Sequence, residues 1–423
     1  HVSTSEYGAI LVTDLMEKYP KYHVIPVKNE SKPITVMHRL TPIQMLDMDE
    51  KNQIITIKCW LGQSWFDEYL QWDPRVYGGI TQIHVNIREI WQPDIVLFGS
   101  IEKEFKRHYD TDAIVAYNGE VTALQPFTLE ASCDIDVSYF PFDKQQCSLK
   151  FASWSYDSKF LDIEPDPMSN TDRFVMNGEW DLVHMPISRN LIHYVCCPDP
   201  FPDITYTIHI KRRSMYYVCN IIFPSFLACI LVAVGFYLPS DSGERITLCV
   251  ATILAQFLFL TIVTDFMPPN SEFIPKLQIY FFILIGLVIF SAVMTGCTLH
   301  MHYKGSHCEE VPLWLRNFAY NYLKKITCSD IQKKKTSNQN MSVNGVQPMN
   351  QANNSIDHCY EKQDGDNVKE SHVRDTRLQE WRDIAKIIDR AYLIVFCFVL
   401  FAVLTGFLVA LYVCASENNS EIP

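Results

Sequence analysis

The stretch Asp241–Pro269, "DSGERITLCVATILAQFLFLTIVTDFMPP", decides what kind of fold this chain can adopt. Between Arg245 and Asp265 it carries no charged residue. An apolar helix of about 20 residues is long enough to cross a bilayer. Every third or fourth residue gives Glu244, Thr247, Ala251, Leu254, Leu258, then Thr261 or Ile262, then Asp265, which fall along one helical stripe. Carboxylates bracket the stripe, a threonine lies near one end, and leucines occupy the middle. Two readings fit. The carboxylates anchor a single helix at the two interfaces, or the stripe lines a pore closed by several copies through head-to-tail contacts.

Three more runs of similar length lie outward from it: 216–238 "YYVCNIIFPSFLACILVAVGFYL", 277–299 "LQIYFFILIGLVIFSAVMTGCTL" and 391–413 "AYLIVFCFVLFAVLTGFLVALYV". Almost no polar stripe interrupts them, so they read as membrane spans. The 423 residues exceed one ordinary domain, and everything before the first run is mixed and polar. Lysines and arginines gather between the third and fourth runs, in 315–327 "LRNFAYNYLKKIT" and 331–335 "IQKKK", which marks that side as cytoplasmic. Four spans then put both termini outside. The chain opens at His1 with neither an initiating Met nor a leader, which reads as a mature form. Asn29, in "NES", is then a glycosylation candidate, whereas Asn340 and Asn353 face the cytoplasm.

The net charge of −12 argues against nucleic-acid binding and suits an outer domain that concentrates cations. Of 14 cysteines, five precede the first span: Cys59, Cys133, Cys147, Cys196 and Cys197. In an oxidising compartment two local pairs account for four of them. Alternation in "IITIKCWLG" puts Ile55, Ile57, Cys59 and Leu61 on one strand face, so Cys59 is expected to be a buried free thiol. Thr56, Lys58 and Trp60 share the opposite, polar face. Cys196 and Cys197 are adjacent, which leaves either two separate thiols or a strained bridge forming a rigid turn.

A short helix is expected at the start, with Tyr7, Leu11 and Leu15 on one face. From about Lys32 to Arg213, short alternating runs broken by Gly, Pro, Asn and Asp predict a β-sandwich. "VPLWLRNFAYNYLKKI" reads as an amphipathic helix at the membrane surface. The segment from about Ser329 to Asn367 is polar enough to be disordered. "RLQEWRDIAKIIDRAY" places Leu378, Trp381, Ala385 and Ile388 at helical spacing and runs into the fourth span. The expected class is a multi-domain membrane protein. It has an extracellular β-sandwich (1–213), transmembrane helices one to three (214–303, with the pore helix at 244–266) and a partly helical, partly disordered cytoplasmic segment (304–389). A fourth transmembrane helix (390–414) completes a four-helix bundle, and 415–423 form an outer tail.

The segment Cys133–Cys147, "CDIDVSYFPFDKQQC", holds 13 residues between its cysteines, with "FPFD" near the middle. It resembles the signature loop of the Cys-loop receptors, the pentameric ligand-gated ion channels. "WQPDIVLF", "FASWSYD", "NGEWDLV" and "YVCCPDPFPDITY" resemble nicotinic acetylcholine receptor segments, and the likeness covers essentially the whole chain. The resemblance implies a Cys133–Cys147 bridge, worth about 3 kcal/mol on the chain-entropy model, and a Cys196–Cys197 bridge that marks α-type subunits. It implies an ammonium-binding aromatic cage of Phe98, Trp154, Tyr194 and Phe201 beside the cysteine pair, with Trp60 and Leu124 supplied by the next subunit. Phe98 and Phe201 depart from the usual tyrosines, which removes two hydroxyls and weakens the case for acetylcholine itself. Trp65, Trp72, Trp91 and Trp180 are left to core packing.

The resemblance also favours the pore reading of Glu244, Thr247, Ala251, Leu254, Leu258 and Asp265. Acidic rings select cations and leucine rings gate by dewetting. Ala251 replaces a usual serine. Glu50 and Arg212 are implied to form an ion pair beside the Cys133–Cys147 loop and the linker holding Pro275, coupling agonist to pore. The implied partners are a small amine or quaternary ammonium, Na+, K+ and, left open, Ca2+, membrane lipid, and four further subunits in a homo- or hetero-pentamer. The expected setting is a multi-pass plasma-membrane protein of postsynaptic type. No cofactor, metal or enzymatic chemistry is expected, because no P-loop, nucleophile elbow, HExxH or zinc-type spacing occurs. An accessory subunit, or a channel opened by a ligand other than acetylcholine, is the alternative.

Overall fold

The computed structural model describes residues 4–20, 24–29, 32–101, 111–169, 171–238, 243–269, 274–304, 310–327 and 367–417. It divides into two compact units. One is His1–Val218 with Ile262–Leu277; the other is Cys219–Thr261 with Gln278–Pro423.

The first unit begins with α1 (Thr4–Lys18), where Leu11 and Leu15 are buried as their spacing predicts. Eleven strands follow: β1 (Ile34–Asp49), β2 (Ile54–Phe66), β3 (Gln82–Asn86), β4 (Ile95–Phe98), β5 (Asp112–Ala116), β6 (Glu120–Ser132), β7 (Lys144–Ser153), β8 (Leu161–Pro165), β9 (Trp180–His184), β10 (Ile187–Ile192) and β11 (Phe201–Arg212). One sheet runs β3-β5-β6-β2-β1-β8, and the other β10-β11-β7-β4 with β9 also on β11. This is the expected β-sandwich. Alternation drives it: β2 buries Ile55, Ile57 and Cys59 and exposes Trp60 to 43%. The Cys59 thiol is free, and burial pushes it up to about 12. Pro42 cannot donate to the ladder, and β1 shifts register between Pro42 and Gln44. At the turn between β5 and β6, Gly119 has φ +93°, and a Cβ there would lie 2.5 Å from the Asp67 carbonyl oxygen. Trp65, Trp72, Trp91 and Trp180 are all buried.

The remaining elements are helical: α2 (Met215–Gly235), α3 (Glu244–Asp265), α4 (Lys276–Lys304), α5 (313–327) and α6 (Asn367–Glu417). Four of them, α2, α3, α4 and α6, are long and apolar enough to cross a membrane. A π turn at Val218–Ile222 precedes Pro224, whose missing N–H cannot serve the α-helical ladder. In the second unit Gln256 Nε2 donates to the Ser225 carbonyl at 2.7 Å, satisfying a polar group inside the bundle. Arg245 meets Asp389 of α6 with two bonds of 2.8 and 2.9 Å.

α5 carries its apolar Leu313, Trp314, Phe318, Tyr322 and Ile326 outward, so it is amphipathic as read. α6 runs unbroken from a polar, charged stretch into the apolar span. Of the stripe read through Leu378, Trp381, Ala385 and Ile388, Trp381 and Ala385 are buried and the other two half-buried, with Ile384 and Ile387 buried beside them. Of the segment expected to be disordered, Ser329 to Asn367, residues 329–366 lie outside the described residues, and Asn367 opens α6. Asn29 is exposed, and its sequon's Ser31 lies outside them as well.

Candidate functional site

The chain brings the sequence-selected residues together in three places. The first is one end of the β10-β11-β7-β4 sheet. Asp203 is opposite Ala152, so Phe201 on β11 lies level with Trp154, two residues beyond Ala152. Phe98 ends β4 opposite Lys150, and its ring centroid is 5.7 Å from that of Trp154. Tyr194 and Phe201 meet edge to face, also at 5.7 Å. Trp154 is 69% exposed, a large apolar surface left in water.

Asp94 aims that ring. Its carbonyl accepts from Trp154 N–H at 3.3 Å and its carboxylate from Ser155 N–H at 2.7 Å. Cys196 and Cys197 are bonded to each other, and Cys197 N–H closes the turn onto the Tyr194 carbonyl at 3.1 Å. Lys150 Nζ stands 5.4 Å over the Phe98 ring and 3.3 Å from Asp203, whose other oxygen accepts from Asn190 at 2.9 Å. Asp94, Lys150 and Asp203 escaped the sequence reading, although Asp94 lies within the quoted "WQPDIVLF".

The second place is the outer face of the other sheet. Gly62 pairs with Leu124 and Trp60 with Pro126 across β2 and β6, so Trp60 and Leu124 are near neighbours on one face. Both are nearly half exposed. The guanidinium of Arg173 lies 5.2 Å over the Trp60 ring. Within one chain the two aromatic groups sit on different sheets.

The third place surrounds Arg212, the last residue of β11, whose side chain has no exposed surface. The expected partner Glu50 is there at 2.7 Å, but Asp143 at 2.9 Å and Glu179 at 2.6 Å complete a set of three carboxylates. The rings of Trp180, Phe140 and Tyr217 pack on the guanidinium at 4.1, 4.9 and 5.6 Å. Burial opposes the charge on Arg212, but Asp143 and Glu50 hold it firmly protonated. Burial raises the Glu50 carboxyl, Arg212 pulls it back, and nearby Glu179 adds to the rise.

Asp143 is the last residue of "FPFD", inside the loop that the Cys133–Cys147 disulfide closes. Pro275 is buried, and the next residue, Lys276, donates its N–H to Ser138 O of that loop at 3.0 Å. Lys276 Nζ sits 4.0 Å over Tyr139. Glu50, Arg212 and Pro275 therefore converge on one loop. Neither Asp143 nor Glu179 could be assigned to Arg212 from spacing, because 69 and 33 residues separate them from it.

On α3, Glu244, Thr247, Ala251, Leu254, Leu258 and Asp265 are all exposed, with Leu254 at 65% and Leu258 at 61%. The opposite row, Arg245, Cys249, Thr252, Gln256, Leu260 and Val263, is buried. The helix thus leaves uncovered the stripe that the sequence singled out.

Comparison with known proteins identifies the family. Residues 9–214 match the neurotransmitter-gated ion-channel ligand binding domain, and residues 221–376 the neurotransmitter-gated ion-channel transmembrane region. The chain is 38% identical over 370 residues to neuronal acetylcholine receptor subunit alpha-9-I of Oncorhynchus mykiss, covering 84% of this chain and 64% of that one. It is 39% identical over 314 residues to acetylcholine receptor subunit alpha-type acr-16 of Caenorhabditis elegans, covering 74% and 63%. It is 36% identical over 319 residues to neuronal acetylcholine receptor subunit alpha-10 of Rattus norvegicus, covering 75% and 71%. The chain belongs to the neurotransmitter-gated, Cys-loop ion-channel family, on its nicotinic acetylcholine receptor α-type side. It spans 64% of alpha-9-I and 59% of neuronal acetylcholine receptor subunit alpha-9-II, both of Oncorhynchus mykiss.

Proposed function

We propose that the chain is one subunit of a pentameric, plasma-membrane cation channel opened by an amine-like ligand at subunit interfaces. The observation that carries this reading is Trp154, held 69% exposed beside Phe98 by Asp94. A rim of aromatic faces in water suits an ammonium, and Tyr194 and Phe201 extend it toward the Cys196–Cys197 turn. Trp60 and Leu124 lie on the other sheet, so a second subunit is needed to bring them to the same ligand. The uncovered stripe of α3 supports a pore: rings of Glu244 and Asp265 attract Na+ and K+, and rings of Leu254 and Leu258 gate it. Agonist opens the channel only through tighter binding to the open state. The Arg212 cluster and the Lys276–Ser138 contact connect β11, the Cys133–Cys147 loop and the start of α4 for that purpose.

Phe98 and Phe201, without hydroxyls, favour a second reading: an accessory subunit, or one gated by a ligand other than acetylcholine. Whole-cell current from this chain expressed alone separates the two, with acetylcholine, nicotine, choline and serotonin applied in turn and Trp154→Ala as control. A cation current that the substitution abolishes is expected. Silence despite surface expression would overturn the homomeric form of the proposal.

A further inference from the structure

Trp60 already carries a cation. The Arg173 guanidinium lies 5.2 Å over its ring, and among the described residues no carboxylate pairs with Arg173. The same face holds two further cations. Arg39 is opposite Gly62 and is neutralised by Asp166 at 3.1 Å, while Lys58, two residues before Trp60, is exposed. The other aromatic group is arranged differently. Its cation, Lys150, is matched by Asp203 at 3.3 Å, and the Trp154 ring is left open to solvent.

The pairing of an open aromatic rim with a ring already covered by an unneutralised guanidinium is a poor match for a bare ammonium. The ammonium would be attracted at one wall and repelled at the other. It is a good match for a molecule positive at one end and negative at the other. We propose that the interface ligand is a zwitterion, an amine or quaternary ammonium bearing a carboxylate. Its cation rests on Trp154, Phe98, Tyr194 and Phe201, and its carboxylate meets Arg173 of the neighbouring subunit. A guanidinium presents a planar fork of donors that fits a carboxylate in two-point fashion. Arg173 is thus the residue that selects the ligand's anionic end. This inference rests on the interface reading above.

The test uses the full chain in lipid nanodiscs and two probes with the same cation: tetramethylammonium, and trimethylglycine, in which one methyl has become a carboxymethyl group. Binding is read from saturation-transfer NMR of the N-methyl protons. Trimethylglycine is expected to bind about tenfold more tightly, the scale of one partly screened charge pair. Arg173→Gln should bring the two probes together and Arg173→Lys should keep part of the preference, while Trp154→Ala should weaken both. If both probes bind, Trp154→Ala removes both, and Arg173→Gln leaves their ratio unchanged, the interface reading stands and the zwitterion proposal falls. If neither binds the unaltered chain, both fall.

Discussion

Arg212 Nε donates to Asp143 Oδ1 at 2.9 Å, and this bond ties the last residue of β11 to the loop closed by Cys133 and Cys147. Both side chains are buried, at 0% and 2% exposed, whereas Glu179 on the same guanidinium is 43% exposed. The three carboxylates are therefore unequal partners. Removing one member of a buried pair strands the other charge.

Asp143→Asn is accordingly expected to lower stability by about 3 kcal/mol. Glu179→Gln should cost about 1 kcal/mol or less, since water screens that partner. Thermal unfolding of the full-length variants, followed by tryptophan fluorescence, gives the order. Equal losses would mean that burial does not set the hierarchy.

His38 yields a prediction about pH. Tyr206 O–H donates to the His38 carbonyl at 3.0 Å, so the Nδ1–H of His38 donates to the Tyr206 oxygen, also at 3.0 Å. Burial lowers the His38 pKa to about 3. The unfolded chain takes up this proton near the ordinary histidine value, and the folded chain does not until about 3. Stability should fall by about 1.4 kcal/mol per pH unit as pH drops through that window. Asp67 acts oppositely, because burial pushes its carboxyl up to about 6 and the folded state then holds the extra proton. The measurement is thus the difference in pH slope between the native chain and His38→Gln. Parallel slopes would refute the assignment.

The exposure of Trp154 separates binding from stability. Trp154→Ala should lose about 2 kcal/mol of cation affinity, while its unfolding midpoint without ligand hardly moves. A large fall in that midpoint would show the ring to be structural. Phe201→Tyr should strengthen binding of ligands with a hydrogen-bonding group, through the restored hydroxyl.

Charge on the uncovered stripe of α3 should set ion choice. Glu244→Lys places a positive ring where a negative one is proposed and should move the reversal potential toward that of chloride in dilution-potential recordings. No movement would place Glu244 outside the conduction path.

The strands were legible because burial on one face leaves a period-two trace, as in Ile55, Ile57 and Cys59. The spans were legible because lipid tolerates so few charges, and the stripe through Leu254 and Leu258 because helix geometry is regular. The aromatic group at Trp154 was not legible from periodicity: its members come from β4, the bend after β7, β11 and the cysteine turn, and resemblance alone assembled them. Asp143 and Glu179 went unassigned to Arg212 for the same reason, since folding and not spacing brings them there. Arg173 was missed because a loop arginine carries no pattern at all until its ring partner is known. On α6 the stripe was legible at Trp381 and Ala385, while Ile384 and Ile387, which it left out, are buried beside them.

The unbroken α6 has a mechanical consequence. Its 51 residues make a rod roughly 75 Å long at about 1.5 Å per residue. The hydrocarbon of a bilayer is only about 30 Å thick. More than half of the rod therefore lies beyond the oily layer, with no break in its backbone bonding to absorb a bend. A tilt of about 5° at one end moves the other by about 6 Å. Whatever grips the end near Asn367 holds a lever whose far arm is embedded in lipid.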